Sequence, residues 1–272
     1  MKRQRLNWQE KVRKNVRKIM DFEHVKVVFE EYLNGYDREN DKVKLKIVHT
    51  YGVIRCSEEI RRRMGLQAED MELAKLIALL HDIGRFEQLK WFNSFEADTM
   101  DHATYGVKVL FEEGMIRQFI EEDTWDDVIR TAIAKHSDYE LTGITDERTL
   151  LHARLIRDAD KLDNCRVKLE DAMETLLDLS ADEVGKYAIS PKVREDAFAG
   201  KCICSKDRRT PMDYWVSYVA YFYDLNFQET LDIVAEEQYV KRIIGRVPYT
   251  NEQTKKTMEE LERQLTEYVR RK

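Results

Sequence analysis

The chain has 272 residues with 46 basic and 52 acidic side chains, so its formal net charge at pH 7 is −6. Charges of both signs are mixed along the chain. This leaves no general positive field, and we therefore expect no nucleic-acid partner. Only ten glycines and three prolines are present, while helix-favouring residues are plentiful, and the composition predicts an all-α fold.

No apolar run is long enough to cross a membrane, and residues 1–18 lack the apolar stretch of a signal peptide. We therefore expect a cytoplasmic protein without a membrane partner. The cysteines do not form the paired spacing of a structural zinc site, and we expect reduced thiols with packing roles at Cys56, Cys165, Cys202 and Cys204.

Amphipathic segments at the two ends of the chain are candidates for partner contacts. Near the start, basic residues surround an apolar stripe formed by Leu6, Val12, Val16 and Ile19. The pattern favours a solvated helix along one edge, although such a helix can also touch an acidic surface. The last helix is predicted to open at Thr250, with Gln253 completing a capping box, and its apolar stripe either packs on the body or forms a homodimer.

Helical periodicity places polar side chains on buried helix faces. Apolar residues recur at three- and four-residue steps from Lys42 to Arg63, and His49 lies on this stripe. A second pattern runs from Glu69 to Leu80, so His81 and Asp82 follow at the end of a helix. Gly84 is the expected C-cap of that helix.

Three further helices are predicted from residues that can cap an N-terminus, namely Thr99, Thr124 with Asp127, and Asp146. The first helix carries His102 in its first turn and stops at Gly114. The second carries His136 on its buried face, and the third carries Asp160 beside its apolar side. Beyond them, an aromatic-rich helix over Met212, Trp215, Val219 and Phe222 is best explained by core packing.

The inward-facing polar groups point to one shared site. A single buried histidine is usually a hydrogen-bonded core residue. Here His49, His81, His136 and Asp160 lie on the inner faces of separate helices, where an ionised carboxylate is costly unless it is paired or metal-bound. Imidazole and carboxylate ligands suit a divalent cation, which would be manganese, iron, magnesium, cobalt, nickel or zinc.

The runs IVHTYGVIRCSEEI, ALLHDIGRFE and IRDADKLDN resemble the HD-domain superfamily of metal-dependent phosphohydrolases in order, residue type and helical context. The resemblance implies an HD-domain-like helical bundle with additional flanking helices. Within one helical domain over residues 1–272, it places the metal-site core at about 42–164 and a helical extension at about 165–272. It also implies that the ligands of the first metal are His49, His81, Asp82 and Asp160.

The resemblance further implies a position for a second metal. Some members of the superfamily use extra histidines between the His-Asp pair and the last Asp, and His102 and His136 occupy such positions. One or two metal ions per chain are therefore expected. Ser137 follows His136 where many two-metal members have another histidine, and these imidazoles can instead orient a phosphate or a water molecule.

The implied reaction is hydrolysis of a small phosphoester, such as a nucleotide or a related phosphate, by a metal-activated water molecule. Asp82 would help to accept the proton of that water, and Arg85, Lys135 and Lys161 would balance the charge on the phosphate. Arg85 stands where many members have lysine. The alternatives are a surface position for Arg85 and an ion pair of Lys161 with Asp158 or Asp163.

Other catalytic classes lack support, because the chain has neither a G-x-x-x-x-G-K-[ST] phosphate loop nor a G-x-S-x-G nucleophile turn. Two alternative functions remain. One is a di-iron, oxygen-activating protein of related fold, and the other is a non-catalytic, metal-containing ligand sensor. A helical scaffold without metal is the remaining alternative.

Overall fold

The computed structural model describes residues 20–96 and 98–271, and these residues form helices without any β-strand, which confirms the all-α prediction. The α-helices, numbered in chain order, are α1 Phe22–Leu33, α2 Asp41–Met64, α3 Ala68–Leu80, α4 Ile83–Phe92, α5 His102–Val107, α6 Ile116–Phe119, α7 Asp126–Lys135, α8 Glu147–Glu170, α9 Met173–Leu177, α10 Ala181–Val184, α11 Pro191–Phe198, α12 Pro211–Ala220, α13 Gln228–Glu236, α14 Tyr239–Ile244 and α15 Glu252–Arg271. A π-helical turn continues α5 over Lys108–Glu112, and 3-10 turns lie at Ser205–Asp207 and Tyr221–Asp224.

Two 24-residue helices, α2 and α8, form the centre of the fold and pack along each other, with α7 against α8. The side chain of Asn40 caps the first turn of α2, and Gly65, with a φ of 67°, ends that helix in the left-handed conformation. Asp146 caps α8 by accepting a hydrogen bond from the backbone N–H of Thr149, as predicted.

Two glycines allow helices to cross very closely. A Cβ atom at Gly52 would lie 1.9 Å from Oδ1 of Asp163, so α2 and α8 approach through this position. A Cβ atom at Gly84 would lie 2.2 Å from the carbonyl oxygen of His102 and 2.5 Å from the backbone nitrogen of Gly106. The prediction of Gly84 as a C-cap is therefore wrong. It lies inside α4, where its missing side chain lets α4 meet α5 backbone to backbone.

Three predicted helix starts also differ from the structure. The carboxylate of Asp101 caps α5, while the hydroxyl of Thr99 donates to the carbonyl of Glu96 instead. α7 begins at Asp126 without a side-chain cap. α15 begins at Glu252, and Asn251 rather than Thr250 accepts the hydrogen bond from the backbone of Thr254. In α5 and α15 the capping residue is closer to the first turn than the predicted one, and in α7 no side chain caps the first turn.

The C-terminal helices fold back onto the helices that carry the predicted ligands. α13 and α14 pack against α8, and α15 packs against α11, α13 and α14. The apolar stripe of α15 is buried in these contacts, so it packs on the body of the protein, and the homodimer stays a prediction. Buried apolar side chains of both regions join one cluster. The organisation of residues 1–272 as one domain stays a prediction.

Arg157 is a buried side chain that ties α7 to the C-terminal region. Its Nη1 donates to the carbonyl oxygens of Lys135, His136 and Asp138 at 3.0, 3.3 and 2.6 Å. Its Nη2 donates to Oδ2 of Asp224 at 2.6 Å. A single guanidinium therefore satisfies the carbonyl end of α7 and binds a carboxylate 67 residues further along the chain.

The basic helix predicted near the start of the chain lies outside the described residues, apart from Met20. Within residues 20–96 and 98–271, no helix has the length and apolar character needed to cross a membrane. All four cysteines lie in the described part of the chain and are free.

The close crossing at Gly84 leads to a stability prediction. We expect Gly84→Ala to lower the free energy of unfolding by about 3 kcal/mol, because the new methyl group would displace the backbone of α5. Gly35→Ala is the matched control, since its Cβ atom would make an ordinary contact of 3.5 Å with the carbonyl of Tyr32. Urea denaturation followed by circular dichroism measures both changes, and equal effects of the two substitutions would contradict the role given to Gly84.

Candidate metal centre

The residues predicted as metal ligands converge in the interior from separate helices. α2 contributes His49 and α8 contributes Asp160, while His102 is the first residue of α5 and His136 follows the last residue of α7. Five of the six predicted ligands are buried, and the side chain of Asp160 is 22% exposed.

The break between α3 and α4 positions the adjacent His81 and Asp82. α3 ends at Leu80, and Asp82 leaves the helical conformation with φ −105° and ψ 18° before α4 begins at Ile83. This turn brings Nε2 of His81 and Oδ2 of Asp82 to 3.6 Å from each other. On a continuous helix, consecutive side chains would point about 100° apart.

One group of potential ligands consists of His49, His81 and Asp160, whose donor atoms lie within 4.8 Å of one another. Oδ1 of Asp160 is 2.9 Å from Nε2 of His49 and 3.7 Å from Nε2 of His81. The other predicted ligand of the first metal, Asp82, reaches this group through its Oδ2 atom.

A second group consists of Asp82, His102 and His136. Oδ1 of Asp82 is 3.2 Å from Nε2 of His102 and 3.5 Å from Nε2 of His136. Because Oδ2 of the same carboxylate faces His81, Asp82 links the two groups. The structure therefore brings all six predicted ligands together around this one residue.

Hydrogen bonds from Nδ1 orient two of the imidazoles. Nδ1 of His81 donates to the carbonyl of Ala78 at 2.8 Å, and Nδ1 of His136 donates to the carbonyl of Ile133 at 2.7 Å. A carbonyl only accepts, so in each neutral ring the lone pair is on Nε2.

The Nε2 atoms of His102 and His136 face each other in a buried space. Nε2 of His81 is buried without a hydrogen-bond partner, and the Nε2 atoms of His102 and His136 are 3.1 Å apart. Opposed lone pairs in a buried place are costly, and a cation between them removes the cost. These residues therefore fit a divalent metal.

The electrostatic environment gives the ligands suitable charges. Burial raises the pKa of Asp82, but the Lys46 ammonium and His81 outweigh it and hold that pKa well below its usual value. Burial likewise opposes ionisation of Asp160, while His49 and His81 bring its pKa well below the usual value. Burial, helped by Arg85, lowers the pKa of His102 to about 3. At neutral pH the carboxylates are therefore ionised and His102 is a neutral imidazole.

Three further residues of the site were missed by the sequence reasoning. Nζ of Lys46 lies 2.5 Å from Oδ2 of Asp82. Asp163 holds Nδ1 of His49 at 2.8 Å, and Nδ2 of Asn164 donates to Oδ1 of Asp160 at 3.1 Å. Helical spacing was the available signal, because Lys46 precedes His49 by three residues, and Asp163 and Asn164 follow Asp160 by three and four.

The three predicted phosphate-binding residues lie in different places. Arg85 is largely buried rather than at the surface, with Nη2 2.9 Å from Nε2 of His102 and Nε 3.8 Å from Oδ1 of Asp82. Lys161 pairs with Asp224 at 2.7 Å, and neither alternative partner considered from the sequence binds it. Lys135 pairs with Asp138 at 3.3 Å, and no contact in the described part of the chain joins its ammonium to the ligands.

Comparison with known proteins agrees with this geometry. Residues 47–165 match the model of the family described as the HD domain, and this segment contains all six predicted ligands that converge on the centre. Searches of curated proteins and of solved structures find no match. HD domains belong to a superfamily of metal-dependent phosphohydrolases that bind divalent metals. Residues 47–165 of this chain are therefore similar to HD domains.

Proposed function

We propose that the protein is a metal-dependent phosphohydrolase that acts on a small phosphoester, such as a nucleotide. The observation that carries this proposal is the buried set of imidazoles and ionised carboxylates joined through Asp82, with the cations Lys46 and Arg85 beside it. The HD domain supports the same reaction class.

His49, His81, Asp82 and Asp160 would hold one divalent cation, and the ligand types admit manganese, iron, magnesium, cobalt, nickel or zinc. When bound, the cation supplies Lewis acidity that lowers the pKa of water and polarises a phosphoryl oxygen. The surrounding chain orients the ligands. Asp163 fixes the ring of His49, and the carbonyl of Ala78 fixes the ring of His81.

Cationic side chains stand on both sides of Asp82, with the Lys46 ammonium next to Oδ2 and the Arg85 guanidinium next to Oδ1. In this buried place their charges are weakly screened, so they can offset the charge that grows on the phosphoryl oxygens. The planar guanidinium of Arg85 also suits a pair of phosphate oxygens.

Asp82 lies between these groups and is the proposed proton acceptor. Lys161 and Lys135 stay candidates for charge balance, although each is already paired with a carboxylate, Asp224 and Asp138 respectively.

Arg85 also affects the number of metals. Its Nη2 lies against Nε2 of His102, which is the atom that would bind a second metal. The positive guanidinium therefore opposes a second cation at this position. We propose one tightly bound metal at the first group and a weaker position formed by Asp82, His102 and His136.

A second candidate function is oxygen activation at a di-iron centre, which is favoured by the two ligand groups that share Asp82. Elemental analysis and absorption spectroscopy separate the two proposals. About two irons per chain with a visible absorption band, and no hydrolysis of nucleoside monophosphates, cyclic nucleotides or other phosphoesters, would favour this candidate. Bound metal without either activity would favour a ligand sensor.

The assignment of ligands predicts which substitutions release the metal. We expect Asp160→Asn to lower the metal content of protein purified without chelator at least about tenfold, because a charged ligand is removed. Elemental mass spectrometry gives the content. His152→Gln is the matched control, since His152 is buried on the same helix but binds Asp70 at 3.0 Å instead of the centre. Full occupancy in Asp160→Asn would refute the assignment.

The position of Arg85 predicts the affinity for a second metal. In Arg85→Met we expect the second Mn²⁺ to bind about tenfold more tightly, because a neighbouring positive charge is gone. Isothermal titration calorimetry measures both binding steps. Arg85→Lys keeps the charge and should stay within about twofold of the wild type. An unchanged second step in Arg85→Met would show that the guanidinium does not oppose the metal.

Lys46 is expected to act on the substrate rather than on the metal. In Lys46→Met, kcat/KM for the best phosphoester of the panel should fall about a hundredfold, because a buried charge that offsets the phosphate is lost. The metal content should not change. Lys44→Met is the control, since Lys44 is exposed on the same helix and pairs with Glu39. Equal losses of activity in both variants would exclude a specific role for Lys46.

A further inference from the structure

A cleft lies beside the candidate metal centre, between α8 and the C-terminal helices. Its polar lining comes from Lys161, Asn164 and Lys168 on α8 and from Tyr218 and Tyr221 at the end of α12 and after it, and its remaining walls are mostly apolar. Asn164 connects the cleft to the centre, because its side chain also donates to Oδ1 of Asp160. The C-terminal extension therefore builds one wall of a space that is one hydrogen bond away from the predicted ligand Asp160.

Lys168 is a buried cation in this cleft. Only 6% of the residue is exposed, and Nζ lies 3.4 Å from Oδ1 of Asn164 and 3.9 Å from the ring centre of Tyr218. Among the described residues it forms no ion pair with a carboxylate. Asp160 and Asp171 favour its charged form from a distance, but burial and the nearby Lys46 outweigh them and lower its pKa to about 8.

An ammonium in this environment lacks a counter-ion of its own. A buried charge is costly unless it is paired, and neither an amide oxygen nor a ring face supplies a full negative charge. None of the residues lining the cleft is acidic, and the second lysine, Lys161, is balanced by Asp224. The cleft therefore presents net positive charge to any group that enters it.

The size and position of the cleft limit what this group can be. The free space accommodates about one water-sized group, which excludes an aromatic ring but admits an anionic oxygen. Asn164 follows Asp160 by four residues, a rise of about 6 Å along α8. Because the Lys168 ammonium contacts Asn164, an anion bound there would lie about one helical turn from the metal centre.

We propose that this cleft is a second anion-binding subsite, in which Lys168, assisted by Lys161, binds one oxygen of a phosphate or carboxylate group of the substrate. The substrate class is then a phosphoester that carries a second anionic group about one helical turn from the phosphoester bond. This inference rests on the proposed phosphohydrolase function and narrows its substrates to compounds with two separated anionic groups.

The test uses two phosphonates that cannot be hydrolysed and that differ by one anionic group. Propane-1,3-bisphosphonate and propylphosphonate are titrated by calorimetry into metal-loaded wild type, Lys168→Met and the control Lys192→Met, in which an exposed lysine outside the cleft is changed. We expect the wild type and Lys192→Met to bind the bisphosphonate about tenfold more tightly than the monophosphonate. Lys168→Met should lose this preference and keep its affinity for propylphosphonate.

Chelation of the metal by the bisphosphonate does not imitate this result, because chelation would persist in Lys168→Met. A purely structural lysine is also distinguished. Replacing an unpaired buried charge with methionine of similar length should leave the melting temperature unchanged or raise it, whereas loss of a structural contact would lower it without changing the preference. Lys168→Gln, which can still donate to Asn164, provides a second variant if Lys168→Met does not fold.

Two outcomes separate this inference from the proposed function. The same preference in Lys168→Met and the wild type would overturn the subsite, even in an active phosphohydrolase. A preference that depends on Lys168 in a protein that hydrolyses no phosphoester would keep the subsite and overturn the proposed hydrolysis. Weak binding of both phosphonates by the wild type would also overturn the subsite.

Discussion

The ionised carboxylate of Asp82 in the protein interior is the constraint on which the site depends. A buried negative charge requires compensation, and here the Lys46 ammonium, the Arg85 guanidinium and three imidazoles surround it. These groups come from different helices, so the helices must converge on the break between α3 and α4. Compensation of the Asp82 charge therefore requires both the packing of these helices and the set of groups that surround the centre.

Close helix crossings make this convergence possible. At Gly52 the carboxylate of Asp163 fits against the backbone of α2 and at the same time holds the ring of His49. At Gly84 the backbone of α4 meets that of α5 at the residue where His102 begins its helix. Each glycine is close to a ligand, so the distance between two helices also sets the position of an imidazole.

Helical periodicity predicted much of the site, because a buried polar residue interrupts an apolar stripe visibly. His49 and His136 were placed on inner faces in this way, and the architecture followed from a composition poor in turn-forming residues. The resemblance to HD domains added Asp82 and His102. Glycine was harder to interpret, because a glycine can either end a helix or allow two helices to cross closely. The sequence alone does not show which of these roles Gly84 has. Thr99 could cap a helix by type, and only the local backbone shows that Asp101 does so.

Charged residues that face inward were the hardest to predict. Lys46 and Lys168 look like ordinary surface residues of charged helices, and their burial depends on segments distant in sequence. The ring of Tyr218 covers Lys168 from a helix that begins more than forty residues later. The alternative partners considered for Lys161 were close neighbours in sequence, whereas its partner Asp224 comes from the C-terminal region. Such pairings follow from tertiary packing, which local patterns do not encode.

The contacts of Arg157 and Asp158 extend beyond the end of the segment that matches the HD-domain family. The family match stops at residue 165, but the Arg157 guanidinium inside it depends on Asp224, and the adjacent Asp158 accepts hydrogen bonds from the backbones of Asn226 and Phe227. Cutting the chain at the family boundary would remove the carboxylate that pairs with Arg157 and the backbone donors that bind Asp158. A transplanted or recombined segment that ends at residue 165 would therefore lose charge-compensating contacts that the residues after it supply.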